Sequence, residues 1–215
     1  MNKPLLARLD RLLASRVIAI VRTHSQDDIV PLARAIVQGG IDVLEVALTS
    51  PGAIAAIGQI ASEVKGAVVG AGTVLDERQG QAAIDAGSQF LISPGFSPRI
   101  LRVATKRGIP YIPGALTPTE LITIFEHGLR EIKIFPAGSL GPSYIRELLG
   151  PFPNLRAIPT GGVTTENARA FLEAGAVALG VGGALTGRVP QGSYDMVAKR
   201  TAEFRAHLDG RVEDQ

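Results

Sequence analysis

A lysine and a glutamate stand in the middle of two short apolar segments, where charged side chains are uncommon. Lys133 lies in "EIKIF" and Glu45 lies in "VLEVA". Because the side chains of a strand alternate between its two faces, Ile132 and Ile134 share one face and Lys133 lies on the other. If both faces are buried, the amine enters a core, which is costly unless it is paired or has a chemical role.

A buried amine and a carboxylate together can act as a covalent catalyst. Burial disfavours the charged form of an amine, and a neutral amine attacks a ketone to form a Schiff base. A carboxylate nearby can then move protons as general base and acid. The alternative is a structural ion pair, which is weak evidence of stabilisation. Lys133 is the only lysine in a predicted strand and Glu45 the only acidic residue well inside one, which favours the catalytic interpretation.

Eight short apolar segments recur along the chain and predict eight strands: "VIAIV" (17–21), "VLEVA" (43–47), "AVVGA" (67–71), "FLIS" (90–93), "YIPG" (111–114), "EIKIF" (131–135), "RAIP" (156–159) and "VALGV" (177–181). The segments between them are helix-like. Ser50, Ser97 and Thr117 are their predicted N-caps. A series of glycines that includes Gly150 marks their predicted C-caps.

The alternation of strands and helices predicts a parallel sheet with helices outside it. Eight units in 215 residues predict a single-domain (β/α)8 barrel. We expect an N-terminal helix over 1–15, the barrel over 16–190, and a C-terminal helix and tail over 191–215. An open doubly wound sheet is the alternative, but no G-x-G-x-x-G turn follows the first strand.

A barrel would bring the lysine and the glutamate together. Its strands are buried on both faces, and the layers of its interior are built from alternate strands. Glu45 lies on the second predicted strand and Lys133 on the sixth, so both can belong to one interior layer. We therefore expect the amine to reach across the barrel towards the carboxylate.

The loops after the strands carry candidate binding residues for an anionic substrate. "PTGGVTTEN" and "GVGGALTG" follow the last two strands, which is the usual phosphate site of a barrel. Glycine lets backbone N–H groups approach phosphate oxygens, and Thr164 or Thr165 then caps the next helix. Arg22, Thr49 and Thr73 end the first three strands and could bind a carboxylate.

Composition argues against several other functions. Lys+Arg 22 against Asp+Glu 20 gives a net charge of only +2, and no basic run or aromatic platform indicates nucleic acid. The chain has no cysteine, hence no disulfide and no thiolate metal site. No signal-peptide pattern opens the chain, and no segment reaches the ~18 apolar residues of a membrane span. We expect a cytoplasmic protein with neither membrane nor nucleic-acid partners.

A metal site is not expected either. His24, His127 and His207 have no ligand spacing and no surrounding carboxylate cluster. His24 alone falls near the loop end of the predicted barrel. The sequence therefore predicts a reaction that needs no metal and no cofactor.

Several of these motifs, in this order, resemble 2-keto-3-deoxy-6-phosphogluconate (KDPG) aldolase. The resemblance covers roughly residues 15 to 187 and rests on these segments: "IDVLEVALTSP", "VVGAGTVL", "FLISPGF", "IPYIPGALTPTEL", "REIKIFPAGSLGPSYI", "GPFPNLRAIPTGGV" and "LGVGGAL". That family also includes 4-hydroxy-2-oxoglutarate (KHG) aldolase activity. The resemblance implies a class I aldolase on a trimeric (β/α)8 barrel, with pyruvate and glyceraldehyde 3-phosphate as products.

The resemblance also implies roles for individual residues. Lys133 matches the Schiff-base lysine of the family and Glu45 its acid–base glutamate. Thr73, Pro94 and Phe135 match residues around bound pyruvate. The positions that match the phosphate loops are Gly161, Gly162, Gly182 and Gly183.

Three positions bear on how the substrate is bound. Thr49 stands where many members carry an arginine for the carboxylate, so Arg22 is expected to take that role. Ala184 stands where a phosphate-binding serine is frequent. Thr160 resembles the gluconate type, since the related 6-phosphogalactonate aldolases tend to be apolar there.

Three alternatives remain open on sequence alone. The first is a 2-keto-3-deoxy-6-phosphogalactonate aldolase, whose substrate differs in one stereocentre. The second is a phosphosugar isomerase or epimerase, which needs a base pair but no covalent lysine. The third is a non-catalytic barrel that binds sugar phosphates, with Lys133 and Glu45 as a structural pair.

Overall fold

The computed structural model describes residues 3–187 and 192–210. Helices alternate with strands along the chain. The helices are α1 (Lys3–Ala14), a 3-10 turn (Gln26–Asp28), α2 (Ile29–Gln38), α3 (Ala53–Glu63), α4 (Glu77–Asp85), α5 (Pro98–Arg107), α6 (Pro118–Glu126), α7 (Gly141–Leu149), α8 (Thr165–Glu173), α9 (Gly183–Thr186) and α10 (Tyr194–Leu208). The strands are β1 (Val17–Val21), β2 (Val43–Ala47), β3 (Val68–Gly72), β4 (Leu91–Ile92), β5 (Tyr111–Ile112), β6 (Gly114–Ala115), β7 (Glu131–Ile134), β8 (Arg156–Pro159) and β9 (Leu179–Val181).

Each of the eight predicted segments contains a strand, but the fifth is divided in two. "YIPG" forms β5 and the start of β6, with Pro113 between them. Proline has no N–H to donate to a ladder, which explains the break. The expected helix at the start of the chain is α1, and the expected C-terminal helix is α10. The chain beyond residue 210 lies outside the described residues, as do residues 188–191.

All strand pairs are parallel and belong to two sheets. The larger has the order β5-β4-β3-β2-β1-β9 and the smaller β6-β7-β8. The sheets are linked at both sides: the Lys133 N–H donates to the Pro113 carbonyl at 2.9 Å, and Thr160 bridges Gly180 in a parallel pairing. The parallel sheet therefore curls, with its helices on the outer side.

Two apolar clusters occupy the two faces of the strands. The larger lies between strands and helices and contains Ile132 and Ile134, on the face predicted for them. The smaller lies on the opposite face and includes Ile112 and Ile158. Leu12 of α1 joins this inner cluster, so α1 covers the end of the sheet at which the strands begin.

The predicted helix starts are confirmed at three of four positions, one of which is Thr164 at the start of α8. Ser97 caps α5, and Thr117 forms a capping box with Glu120 at the start of α6. The prediction for Ser50 was wrong, since α3 begins at Ala53 after a glycine in the left-handed region. The Ser50 hydroxyl instead accepts a hydrogen bond from the Thr23 N–H.

Most of the predicted helix ends are also confirmed, but the C-cap of α3 is Val64, two residues before the predicted Gly66. Gly108 caps α5 at φ +65, in the left-handed conformation expected of a C-cap glycine. Gly150 ends α7 at φ −57, so the left-handed cap predicted there was wrong. Within the described ranges, no helix combines the length and hydropathy needed to cross a membrane.

The capping box of α6 generates a stability prediction. The Glu120 carboxylate accepts hydrogen bonds from the Leu116 N–H, the Thr117 N–H and the Thr117 hydroxyl, and these lower the pKa of Glu120. We expect Thr117→Ala to reduce the free energy of unfolding by about 1 kcal/mol, as lost N-caps do. Urea unfolding at pH 7 measures this loss.

The same box sets a dependence on pH. Because the folded state lowers the pKa of Glu120 below its usual 4.5, its contribution is present above pH 4.5 and is lost as pH falls through the folded pKa. Glu120→Gln keeps an acceptor but cannot titrate, so its unfolding free energy should fall less across this acidic range. Identical acid profiles of the two proteins would contradict the assignment.

Candidate active site

The carboxyl ends of the strands open onto a cavity of about 570 Å³. Its wall comes from the loops that follow β1, β3, β4, β7, β8 and β9. The predicted site residues that line it are Arg22, Thr73, Pro94, Lys133, Phe135, Gly161, Gly162, Gly182 and Gly183. Residues that lie far apart in the sequence therefore meet in one concave surface.

Lys133 lines this cavity and contacts the carboxylate of Glu45, which is buried behind the wall and is not itself a lining residue. Nζ lies 3.3 Å from Oε1, and only 7% and 2% of the two side chains are exposed. Lys133 comes from the smaller sheet and Glu45 from the larger, so the contact spans the interior. Nζ also lies 5.5 Å from the centroid of the Phe135 ring, within reach of a cation–π contact. The predicted meeting of the two side chains is thus present in the structure.

A glycine makes room for the carboxylate. A Cβ built on Gly72 would lie 2.0 Å from Oε1 of Glu45, a distance that no real atom pair tolerates. Gly180 plays the same part for Thr160, whose Oγ1 would be 2.2 Å from an added Cβ. Sequence reasoning missed both positions, although glycine inside a strand is a known sign of a close approach.

Arg22 and Thr73 are in contact on the cavity wall. A guanidinium nitrogen of Arg22 donates to the Thr73 hydroxyl at 3.4 Å. Thr73 has φ +56, in the left-handed region that is strained for a β-branched residue. Thr49 is exposed on the loop after β2 and is not part of the cavity wall that the described residues form. The structure thus brings two of the three candidate carboxylate residues together.

The loop after β8 is shaped by two adjacent glycines. Gly161 and Gly162 have φ +81 and +76, so both need the left-handed region. Gly138 belongs to the loop after β7, and a Cβ on it would lie 2.7 Å from the Cα of Gly162. The loops after β7 and β8 therefore approach each other closely. Asn167, which sequence reasoning missed, accepts from the Thr164 N–H at 2.8 Å and donates to the Gly162 carbonyl at 2.9 Å. Its amide therefore fastens the loop to the start of α8.

The second glycine loop adds few side-chain donors. Gly182, Gly183 and Ala184 line the cavity, and the Thr186 hydroxyl donates to the Gly182 carbonyl at 3.3 Å. His24 also lines the cavity, whereas the ring of His127 packs against Phe96. In the part of the chain that the structure describes, no three His, Asp or Glu side chains are grouped to hold a metal ion.

A buried amine and carboxylate beneath a cavity at the carboxyl ends of parallel strands form the kind of site with which an α/β enzyme handles carbonyl compounds. The chain belongs to the KDPG and KHG aldolase family, whose model matches residues 9–199. The resemblance seen in the sequence motifs is therefore confirmed.

Relatives and solved structures agree with this assignment. The chain is 40% identical over 191 residues to the KHG/KDPG aldolase of Escherichia coli K12, with 87% of this chain and 89% of that protein covered. It is 39% identical to the 2-dehydro-3-deoxy-phosphogluconate aldolase of Dickeya dadantii, with 89% and 92% covered. The fold matches the KDPG aldolase of Legionella pneumophila, solved with pyruvate as a covalent carbinolamine intermediate, at a TM-score of 0.82 and 30% identity, with 94% and 98% covered.

The close fit at Gly72 yields a test of the site geometry. Gly72→Ala must displace the Glu45 carboxylate or the strand beneath it. We expect turnover of the substrate proposed below to fall by about 100-fold, the typical cost of a misplacement near 1 Å. Steady-state kinetics on the folded variant measure the loss.

Gly70→Ala is the matched control, because it lies on the same strand and its added Cβ would meet the Phe90 ring instead, at 2.4 Å. It should lower the melting temperature while the folded enzyme keeps far more of its turnover. Equal turnover losses in the two variants would show that displacement of Glu45 is not the cause.

Proposed function

We propose that this protein is a class I aldolase that cleaves KDPG to pyruvate and glyceraldehyde 3-phosphate. We propose further that it also cleaves KHG to pyruvate and glyoxylate. The observation that carries this proposal is the buried contact of 3.3 Å between the Lys133 amine and the Glu45 carboxylate, at a cavity open to solvent. Membership of the KDPG and KHG aldolase family supports it.

The reaction begins with the amine. Neutral Lys133 attacks the C2 ketone, and the carbinolamine loses water to give an iminium ion. Glu45 first takes one proton from the Lys133 ammonium, 3.3 Å away, which leaves the amine neutral. The attacking nitrogen then gives a proton to the carbonyl oxygen, and Glu45 returns its own proton to the resulting hydroxyl, which leaves as water.

Cleavage then uses the iminium ion as an electron sink. Glu45 takes the proton of the C4 hydroxyl, the C3–C4 bond breaks, and its electron pair enters the enamine of pyruvate. Glyceraldehyde 3-phosphate leaves as the aldehyde. Glu45 returns the proton to C3, and water then hydrolyses the pyruvate imine and frees Lys133. Protons and electrons balance over the cycle, so no cofactor or metal is needed.

The two anionic ends of the substrate need separate binding groups. We assign the keto-acid carboxylate to Arg22 and Thr73, since their contact of 3.4 Å places two donors on the cavity wall near Lys133. Pro94 and Phe135 pack beside the pyruvate part. The same role for Thr49 stays a prediction.

We assign the phosphate to the two glycine loops of the cavity. Gly161 and Gly162 follow β8, and Gly182 and Gly183 follow β9. Backbone N–H groups in such loops bind phosphate oxygens without help from side chains. This suits a chain that carries Ala184 at the position where a serine is frequent.

We propose that the two sheets belong to one closed (β/α)8 barrel in a single domain. The fifth barrel strand would be β5 and β6 together, joined across Pro113. Two links support closure: the Lys133 N–H to Pro113, and a 3.0 Å hydrogen bond from the Val177 N–H to the Ala157 carbonyl. Assembly as a homotrimer, a cytoplasmic location and the boundaries 1–15, 16–190 and 191–215 stay predictions.

Covalent trapping tests the proposed chemistry. With pyruvate and borohydride, we expect an adduct on Lys133, found by intact mass and peptide mapping. Lys133→Ala should lose both the adduct and the activity. Glu45→Gln keeps the size and polarity of the side chain but cannot move protons, so it should still form the adduct, more slowly, and lose most of its turnover. The absence of any adduct in folded protein that binds phosphate would favour the isomerase or the binding barrel.

The stereochemistry of the substrate is tested at Thr160. Its side chain is buried at the cavity, and its hydroxyl donates to the Ile158 carbonyl at 3.2 Å. We expect KDPG to be cleaved faster than the 6-phosphogalactonate epimer, and Thr160→Val to shrink that preference by up to about tenfold, the scale of one hydrogen bond. A preference for the epimer in the unaltered protein would instead assign the galactonate activity.

A further inference from the structure

The loop that carries Arg22 is held from behind by a buried hydroxyl. Ser50 is 4% exposed, and its Oγ accepts a hydrogen bond from the Thr23 N–H at 3.0 Å. Thr23 directly follows Arg22, and its own hydroxyl donates to the Ser25 carbonyl at 2.6 Å. The residue directly after Arg22 is therefore held by two hydrogen bonds, although the guanidinium itself is exposed.

Ser50 is in turn fixed to the strand that carries Glu45. Its N–H donates to the Ala47 carbonyl at 2.9 Å, and its carbonyl accepts from the Ala53 N–H at 3.3 Å. Ala47 is the last residue of β2, and Ala53 is the first of α3. The hydroxyl thus links the loop of Arg22 to the same element that positions the proposed acid–base residue.

The partner of Arg22 is held in a similar way from the other side. Ser93 is 3% exposed, and its hydroxyl donates to the Val74 carbonyl at 2.7 Å. Val74 directly follows Thr73, whose backbone lies in the strained left-handed region. One buried serine therefore fixes the backbone beside Arg22, and another fixes the backbone beside Thr73.

An arginine side chain needs such support to bind a carboxylate at one place. Its many rotamers cost entropy to fix, and small shifts of a binding group cost much of its effect. The contact of 3.4 Å with Thr73 is long for a hydrogen bond, so it fixes the guanidinium only weakly. The position of the backbone at Thr23 then largely decides where the guanidinium can lie.

We propose that Ser50 is a positioning residue that determines the selectivity of the site for a carboxylate, acting through Arg22. The proposal rests on the proposed function, in which Arg22 and Thr73 bind the carboxylate of the keto acid. Ser50 has no place in the cavity wall that the described residues form, so it acts without touching the substrate. Its loss would let the loop and the guanidinium drift away from the carboxylate.

The test compares pyruvate with pyruvamide, which lacks the negative charge. The measured quantity is the concentration of each that gives half-maximal borohydride trapping on Lys133. For Ser50→Ala we expect this concentration to rise about tenfold for pyruvate, the scale of one charge-assisted hydrogen bond, and to change less than about twofold for pyruvamide. Ser50→Thr retains the hydroxyl and should restore most of the selectivity.

Ser88→Ala is the matched control. Ser88 is also 4% exposed, and its Oγ accepts from a backbone N–H, that of Ala71, at 3.0 Å. It lies before β4, at the end of the sheet away from the cavity. We expect Ser88→Ala to lose stability but to keep the ratio of the two half-saturating concentrations. If Ser50→Ala does not fold, Ser50→Cys supplies a weaker acceptor of similar shape and should give a smaller shift in the same direction.

Arg22→Ala separates this inference from the proposed function. If Arg22→Ala leaves the selectivity for pyruvate unchanged, the proposed carboxylate role of Arg22 fails. If Arg22→Ala removes the selectivity but Ser50→Ala does not reduce it, the inference about Ser50 is overturned and the proposed function stands. Equal losses for both compounds in Ser50→Ala would also overturn it, because they indicate a general structural defect.

A double variant tests whether Ser50 acts through Arg22. Ser50→Ala added to Arg22→Ala should produce no further loss of selectivity, because the residue through which Ser50 acts is gone. An additional loss of the same size would mean that Ser50 acts by another route and would contradict the proposal.

Discussion

The contact between Lys133 and Glu45 is the constraint on which the rest of the structure depends. Both side chains lie where less than a tenth of their surface meets solvent. Breaking a buried pair by removing one partner typically costs about 3–5 kcal/mol, because the other charge is left without compensation. The fold must therefore bring these two side chains, from strands of different sheets, within hydrogen-bonding distance, and it must leave space for both.

That space comes from small residues on the inner face of the strands. Gly72 leaves room for the Glu45 carboxylate, and Gly70, two residues earlier, leaves room for the Phe90 ring. The inner face is thus filled with an apolar cluster near the base, which α1 covers through Leu12, and with the ion pair nearer the carboxyl ends. The cavity is open at the end where the loops meet, so substrate reaches the amine from that side.

Much of this arrangement could be predicted from the sequence, because it follows from local rules. Alternation of side chains places Lys133 opposite Ile132, and the capping pattern at Thr117 identifies the start of a helix. The features that could not be predicted depend on contacts between distant segments. The residues around Ser50 predict that it is a helix N-cap, yet its hydroxyl accepts a hydrogen bond from the N–H of Thr23 on another loop. The residues that flank Ser50 in the sequence give no indication of this partner.

The neighbours of Lys133 explain why its partner must come from the other sheet, across the interior. Glu131 lies on the same face, but its carboxylate is 3.4 Å from Arg156, the residue directly beside it in register on β8. The register neighbours of Lys133 itself are Gly114 and Ile158, and neither carries a charge. An acidic residue at either position would hold the amine in a permanent pair on its own wall. With Glu45 as the partner instead, the amine can turn from the carboxylate towards a ketone in the cavity while the carboxylate stays within reach of the same atoms.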